Sequence, residues 1–265
     1  MASTVARAEA PAGPAYHPGV PSVTDEAVCI RHWDFSETSQ TVSLLCRELG
    51  ILRGLAKGAK RAGGRFSGGI DLLTRGQVVA IVKGGRELAT LTDWTLLRAY
   101  RSLRNDLESN RSAYYLADLV GRLFAPADPH PRLYDALVSG LEALEAPGTA
   151  AAVVLRFQWI ALVESGQQPN IECPTGTGST VTFLPREARF TARAEGEVAA
   201  WKVRRTTVDL LSTMADDPSI ASIARIAAAD PESVRRANRF LAAYLRESLQ
   251  TEPFSMRALF ADLAV

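Results

Sequence analysis

Residues 51–65 read ILRGLAKGAKRAGGR. An apolar opening, Ile51 to Leu55, passes into glycine-rich sequence carrying Arg53, Lys57, Lys60, Arg61 and Arg65 with no acid among them. That is the pattern of a sheet strand running out into a cationic loop. Two readings are open at this point. Lysines and arginines without local counter-charge can neutralise the backbone of a polyanion, and the same charges can simply keep a loop solvated.

Working outward, Ala27 to His32 and Thr41 to Cys46 have the short, β-capable look of strands, joined by a polar turn from Asp34 to Gln40. Arg47 to Gly50 makes a tight connection into Ile51 to Leu55. Leu72-Leu73, Val78 to Val82 and Glu87 to Thr92 supply further apolar segments separated by glycine turns at Gly76 and Gly84-Gly85. Roughly five short strands lie in about 70 residues, with too little helical periodicity for an α/β unit. A small closed antiparallel barrel would bury one face of each strand and remove exposed edges; a two-sheet sandwich satisfies the same pattern. Order is expected from about Glu26. Residues 1–25, broken by Pro11, Pro14, Pro18 and Pro21, read as a flexible extension.

The period changes after Trp94. Leu96 to Asp106 reads as a connector, and Leu107 to Phe124 has helical spacing. Leu133, Leu137, Leu141 and Leu144 make Pro131 to Ala146 a helix stopped by Pro147-Gly148; Ala150 to Gly166, apolar on nearly all sides, belongs at the centre of a bundle. Residues 167–196 break the regularity with prolines, glycines and one strand-like segment, Thr180 to Leu184, and read as a hairpin-bearing insertion. Glu197 to Met214, Ser219 to Ala228 and Glu232 to Ser248 return to helix, the last capped by Asp230 ahead of Pro231. Arg235, Arg236 and Arg239 would lie along one side of it as a second basic surface. The chain thus divides into a β-domain over 26–100 and an all-helical domain over 101–265.

Charge sharpens this division. The 265 residues carry 30 Lys and Arg against 29 Asp and Glu, a net charge of +1 that suggests no polyanionic partner. Residues 26–106, however, hold 13 basic against 8 acidic side chains, and residues 107–150 hold 3 against 6. Cys29, Cys46 and Cys173 form no CxxC pair, and so provide neither a disulfide framework nor a set of soft metal ligands. No apolar run is long enough to span a bilayer, which makes a soluble protein of a reducing cytoplasm the default. His17, His32 and His130 lack nucleophilic partners. PTGTGST at 174–180 lacks the lysine of a phosphate loop, and Asp209, Asp216 and Asp217 do not make a two-metal site. Nothing here supports an enzyme. Among aromatics, Trp33, Phe35 and Phe66 neighbour the basic run and could stack on unpaired bases, burial being the expectation for Trp33. Trp94, Tyr114, Tyr115, Phe157 and Trp159 are expected to pack the cores.

The words SETSQTVSLLCRELGILRGLAKGAKR, FSGGIDLLTRGQVV, RELATLTDWTLLRAY and VRRANRFLAAYLRESL, in this order and spacing, resemble the RecO family of bacterial recombination and repair mediators. The resemblance runs from about Val28 to Phe260. It implies an N-terminal OB-fold barrel, favoured over the sandwich, followed by a helical domain. It also implies binding of single-stranded and double-stranded DNA, strand annealing without catalysis, and cooperation with RecR and single-stranded-DNA-binding protein in loading RecA, in the cytoplasm and at the nucleoid. Carried onto matching positions, it makes Arg53, Lys57, Lys60, Arg61 and Arg65, with Phe66, the expected DNA contacts. Five phosphate contacts imply a salt slope of about −3.5 for single strands and about −4.5 for duplex.

For the acidic, apolar tail of the single-stranded-DNA-binding protein, the resemblance points to the helical region. Arg156, Lys202, Arg204 and Arg205 are the expected carboxylate partners there, with Phe157 beside an apolar pocket; a buried structural role for Arg156 is the alternative. The chain departs from zinc-bearing relatives between Gly166 and Ala199, where Cys173 stands in place of four cysteines. A zinc-free insertion without metal or other cofactor is therefore expected. The competing reading from another class is a protein-interaction scaffold with little direct DNA binding.

Overall fold

The computed structural model describes residues 22–61, 63–66, 68–84, 87–174, 178–192, 200–216, 218–260 and Leu263. Five strands, β1 (Ser22–Asp34), β2 (Gln40–Cys46), β3 (Gly50–Ala56), β4 (Thr74–Ile81) and β5 (Ala89–Ala99), close a barrel in the order β1-β2-β3-β5-β4. All pairings are antiparallel except β3 with β5, which run parallel over Gly54–Ala56 and Ala89–Leu91. This is the Greek-key closure of an OB-fold.

The alternation of side chains explains why β1 and β2 read as nearly continuous apolar runs. Ala27, Cys29, Val42, Leu44 and Cys46 point into the barrel with Val78, Ala80, Leu91 and Trp94. Val28, Ile30, Leu45 and Ile51 point the other way, into the core of the helices. With both faces buried, the period-two signal disappears from the sequence. Burial pushes the Cys29 thiol up to about 12 and raises that of Cys46 too. Both are packing residues that resist forming the thiolate a metal requires.

Two boundaries differ from expectation in the barrel. β1 starts at Ser22, because Ser22 to Val28 pair with Ile81 to Arg75 of β4. The expected connector after Trp94 is instead strand: β4 extends to Thr74, and pairing of Arg75 with Arg98 and Thr74 with Ala99 carries β5 onward.

A single 3-10 turn, Arg101–Arg104, leads into α1 (Leu107–Leu123), α2 (Pro131–Ala143) and α3 (Ala150–Glu164). Asp106 caps α1 by accepting from the Ser109 amide at 2.7 Å. α3 is buried nearly all round, between α1, α2, α5 and α6. Its buried Gln158 donates through Nε2 to Tyr115 Oη at 2.9 Å, while its Oε1 has no partner among the described residues.

The 167–196 insertion is larger than expected. β6 (Thr180–Leu184), β7 (Arg189–Thr191) and β8 (Trp201–Arg204) form a three-stranded sheet in the order β7-β6-β8. Trp201 to Arg204 were expected as helix, but pairing of Val203 with Val181 makes them strand, and α4 (Arg205–Asp216) begins only afterwards. α5 (Ile220–Ala229), α6 (Pro231–Leu249) and a short α7 (Phe254–Leu259), which no periodicity announced, complete the bundle. Phe183, fully buried, fastens the sheet to α6 through edge contacts with Phe240 at 5.0 Å and Tyr244 at 5.4 Å. Among the described residues no cluster of three or more His, Cys, Asp or Glu is placed to hold a metal ion, and no helix is long and apolar enough to cross a membrane.

Barrel and bundle share one core, and ion pairs rim the seam. Arg31 meets Asp118 of α1 at 2.5 Å, and Arg47 meets Asp135 of α2 through two bonds of 3.2 Å. Arg75 grips Glu26 at 2.6 Å and approaches Glu142 at 3.8 Å, while Tyr134 Oη donates to Glu26 at 3.3 Å. Arg98 pairs with Glu145, which also accepts from Ser102 Oγ at 2.7 Å. Gly50 permits the closest approach: with φ +68°, a Cβ there would lie 2.3 Å from the Asp128 carbonyl oxygen.

Candidate nucleic-acid interface

β3 delivers the basic run to the barrel surface. Val42 and Leu44 face inward, so Ser43 between them faces out, and the register sets Arg31, Ser43 and Arg53 in one outer row. The neighbouring row is Trp33, Thr41 and Leu55. Beyond Ala56 the chain turns at Gly58, whose φ of +69° suits glycine.

The turn is tied to the β1–β2 hairpin. The Lys60 amide donates to Thr38 O at 3.1 Å and the Gly58 amide to Ser39 Oγ at 3.2 Å. Lys60 Nζ reaches Asp34 at 2.6 Å, and this contact holds the Asp34 carboxyl below its ordinary range. The basic loop is thereby fixed beside Trp33, which is 44% exposed, and Phe35, which is 63% exposed.

Of the five expected cations, Arg53, Lys57, Arg61 and Arg65 are exposed and make no ion pair among the described residues. Lys60 is partly neutralised by Asp34. Phe66 corrects the expectation. It is only 5% exposed and plugs the barrel with Ile70 and Trp94, so it cannot stack on a base. The barrel interior needs an apolar plug where β5 and the 63–70 segment meet, and the Trp94 amide bonded to Arg65 O at 3.3 Å fixes that choice. Trp33 and Phe35 take its place as exposed aromatics, against the expectation of burial for Trp33. Tyr114, expected in the core, is likewise 44% exposed. The missed signal was the polar turn SETSQ, which leaves its flanking aromatics nothing to pack against.

The helical-domain candidates separate into two groups. Arg156 and Phe157 do not form a surface site. Phe157 is buried at the bundle centre, and Arg156 spends its guanidinium on Pro218 O at 2.8 Å and Ser139 Oγ at 3.1 Å. Burial lowers the pKa of that guanidinium. It is a structural arginine that satisfies backbone between helices. Arg205 is turned toward Pro174 O at 3.4 Å.

Lys202 and Arg204 of β8, by contrast, meet Arg236 and Arg239 of α6 around a cleft of about 280 Å³ that also includes Trp201 and Phe240. Two sets of residues that looked separate in sequence share one cleft, and its described lining carries no acid. Its charge is tempered from outside. Glu232 holds Arg235 at 2.7 Å and Arg236 at 3.1 Å.

This geometry sets exposed cations beside exposed aromatic faces, and among the described residues no cluster of three or more His, Cys, Asp or Glu is placed to hold a metal ion. Residues 21–100 match the family model described as Recombination protein O N terminal, and residues 104–257 match that described as Recombination protein O C terminal. The chain is 35% identical over 172 residues to the DNA repair protein RecO of Rhodopirellula baltica, covering 65% of this chain and 64% of that relative. It is 30% identical over 230 residues to the protein of the same name from Anaeromyxobacter sp. strain K, covering 84% and 89%. A third, from Roseiflexus sp. strain RS-1, is 29% identical over 245 residues, covering 88% and 83%. With both parts of the chain matched in order, the barrel and the helical bundle together belong to the RecO family of DNA repair proteins.

Proposed function

We propose that the β3 edge of the barrel binds the phosphates of single-stranded and double-stranded DNA. On this reading the protein anneals complementary strands without catalysis, and assists RecA loading together with RecR and single-stranded-DNA-binding protein at the nucleoid. The observation that carries the proposal is that Arg53, Lys57, Arg61 and Arg65 meet no carboxylate among the described residues and lie on β3 and on the loop fixed beside exposed Trp33 and Phe35. Cations without counter-charges release condensed ions when phosphates replace them, and aromatic faces hold unpaired bases of any sequence. With Lys60 engaged by Asp34, four contacts give a salt slope of about −2.8 for single strands and about −3.6 for duplex. Annealing needs two strands drawn together, and the cleft of Lys202, Arg204, Arg236 and Arg239 is a second cationic surface able to lower their repulsion. The same cleft, with Trp201 and Phe240, has the chemistry to take an acidic, apolar protein tail.

The test is annealing of complementary oligonucleotides across a salt series. Acceleration at low salt that fades as salt rises is expected, with little dependence on base sequence. No acceleration and no DNA binding in dilute salt would leave the protein an interaction scaffold.

A further inference from the structure

We propose that a notch at the junction of barrel and bundle is a nucleotide subsite, where single-stranded DNA leaving the barrel stacks a base on Tyr114 and sets a phosphate against Arg104. The inference rests on the barrel reading above and extends it onto the helical domain. The notch, about 180 Å³, is walled by His32 and Asp71 on the barrel side, and by Arg101, Arg104, Asn110 and Tyr114 on the other. Leu73 and Leu103 behind it are buried, and its accessible walls mix polar groups with the partly exposed Leu72 and Ala99.

Its position continues the cationic face. Tyr114 lies one helical turn before Asp118, on the same side of α1. Asp118 is the residue that Arg31 holds at 2.5 Å, and Arg31 shares its outer row with Ser43 and Arg53. Trp33 follows two residues along the same strand. A strand laid on Arg53 and Trp33 therefore meets Tyr114 next.

The chemistry suits a nucleotide. Tyr114 presents an exposed ring, and successive bases stack on such rings regardless of sequence. Arg104 is largely exposed, and among the described residues it meets Asp71, the acid lining the notch, at a long 3.4 Å. An exposed pair of that kind is weak enough to yield to a phosphate, which an arginine can hold bidentately.

The experiment measures binding of the full chain and its Tyr114→Ala, Tyr114→Phe and Arg104→Ala variants to oligothymidylates of about 10 and about 30 nucleotides, the shorter within the usual footprint of one OB-fold. Tyr114→Ala is expected to weaken the longer oligomer about 5-fold or more while leaving the shorter unchanged, with Tyr114→Phe restoring it. Arg104→Ala is expected to flatten the salt slope for the longer oligomer by about 0.7. Wild-type affinity and slope in both alanine variants would overturn the subsite while leaving the barrel reading intact. Absence of binding by the unsubstituted chain would instead sink both. Displacement of the longer oligomer by polyglutamate from wild type but not from Tyr114→Ala would also overturn it, assigning the notch to an acidic peptide.

Discussion

The barrel carries two sets of outward cations, and they are employed differently. Toward the helices, Arg31, Arg47, Arg75 and Arg98 each meet a carboxylate, from Asp118, Asp135, Glu26 with Glu142, and Glu145. On the β3 edge, Arg53, Lys57, Arg61 and Arg65 meet none among the described residues. The charge asymmetry of the sequence acquires a spatial meaning here. The acid excess of residues 107–150 is spent on the seam, where it neutralises barrel arginines that sequence distance had kept apart. What stays without a carboxylate partner among the described residues is the part of the basic excess that the helices do not reach.

The largest expected effect comes from removing the free set. Lys57, Arg61 and Arg65 replaced together by alanine should flatten the single-strand salt slope by about 2. Thermal stability should hardly change, since exposed side chains without partners contribute little to folding. A filter-binding or anisotropy salt series checks this. Retention of the full slope would break the comparison, because the unpaired cations would then not be those that meet phosphate.

Much of this was legible in advance, and for identifiable reasons. Most of the order of strands and helices, apart from β7, β8 and α7, followed from periodicity and from glycine and proline punctuation, and the basic run stood out because no acid interrupts it. The pairing state of the arginines was not legible: Arg31 and Asp118 are 87 residues apart, and nothing local tells an arginine that will find a carboxylate from one that will not. The aromatics erred for a related reason. Phe66 and Trp33 look alike beside cations, yet one plugs the barrel and the other ends a strand beside a polar turn. Trp201 to Arg204 looked helical because their strand partner, β6, is contributed from about 20 residues earlier in the chain.

A smaller effect should follow from cutting the seam. Arg75→Ala leaves Glu26 facing Tyr134 without its cation, and should cost about 1–2 kcal/mol in denaturant unfolding, between exposed and buried pairs. The DNA salt slope should stay as it was. Acid offers the same cut without mutation. Arg75 holds the Glu26 carboxyl, and Arg98 the Glu145 carboxyl, below their ordinary value of 4.5. A carboxylate with a depressed folded-state pKa contributes stability that is complete above its unfolded value and is lost as pH falls through the folded one. Melting temperature should therefore fall on acidification from pH ~5 downward, and fall less steeply in Arg75→Ala. Parallel pH profiles for the two proteins would show that the seam pairs are not the groups being titrated.

The smallest effect tests whether pairing alone decides what a cation does. Arg235 stands exposed on α6, one residue before Arg236 of the basic cleft, but Glu232 holds it through bonds of 2.7 and 2.8 Å. If a carboxylate three residues away is enough to withdraw an arginine from phosphate, Arg235→Ala should lower helix stability only slightly and leave the slope for DNA untouched. If the slope instead flattens by about 0.7, phosphate outcompetes Glu232. The distinction between free and paired cations would then hold at the seam, where Glu26 is locked by a second contact from Tyr134 and Glu145 by one from Ser102. Glu232→Gln separates the two cases directly. Freeing Arg235 and Arg236 together should strengthen DNA binding at low salt if their acid was what restrained them, and change nothing if it was not.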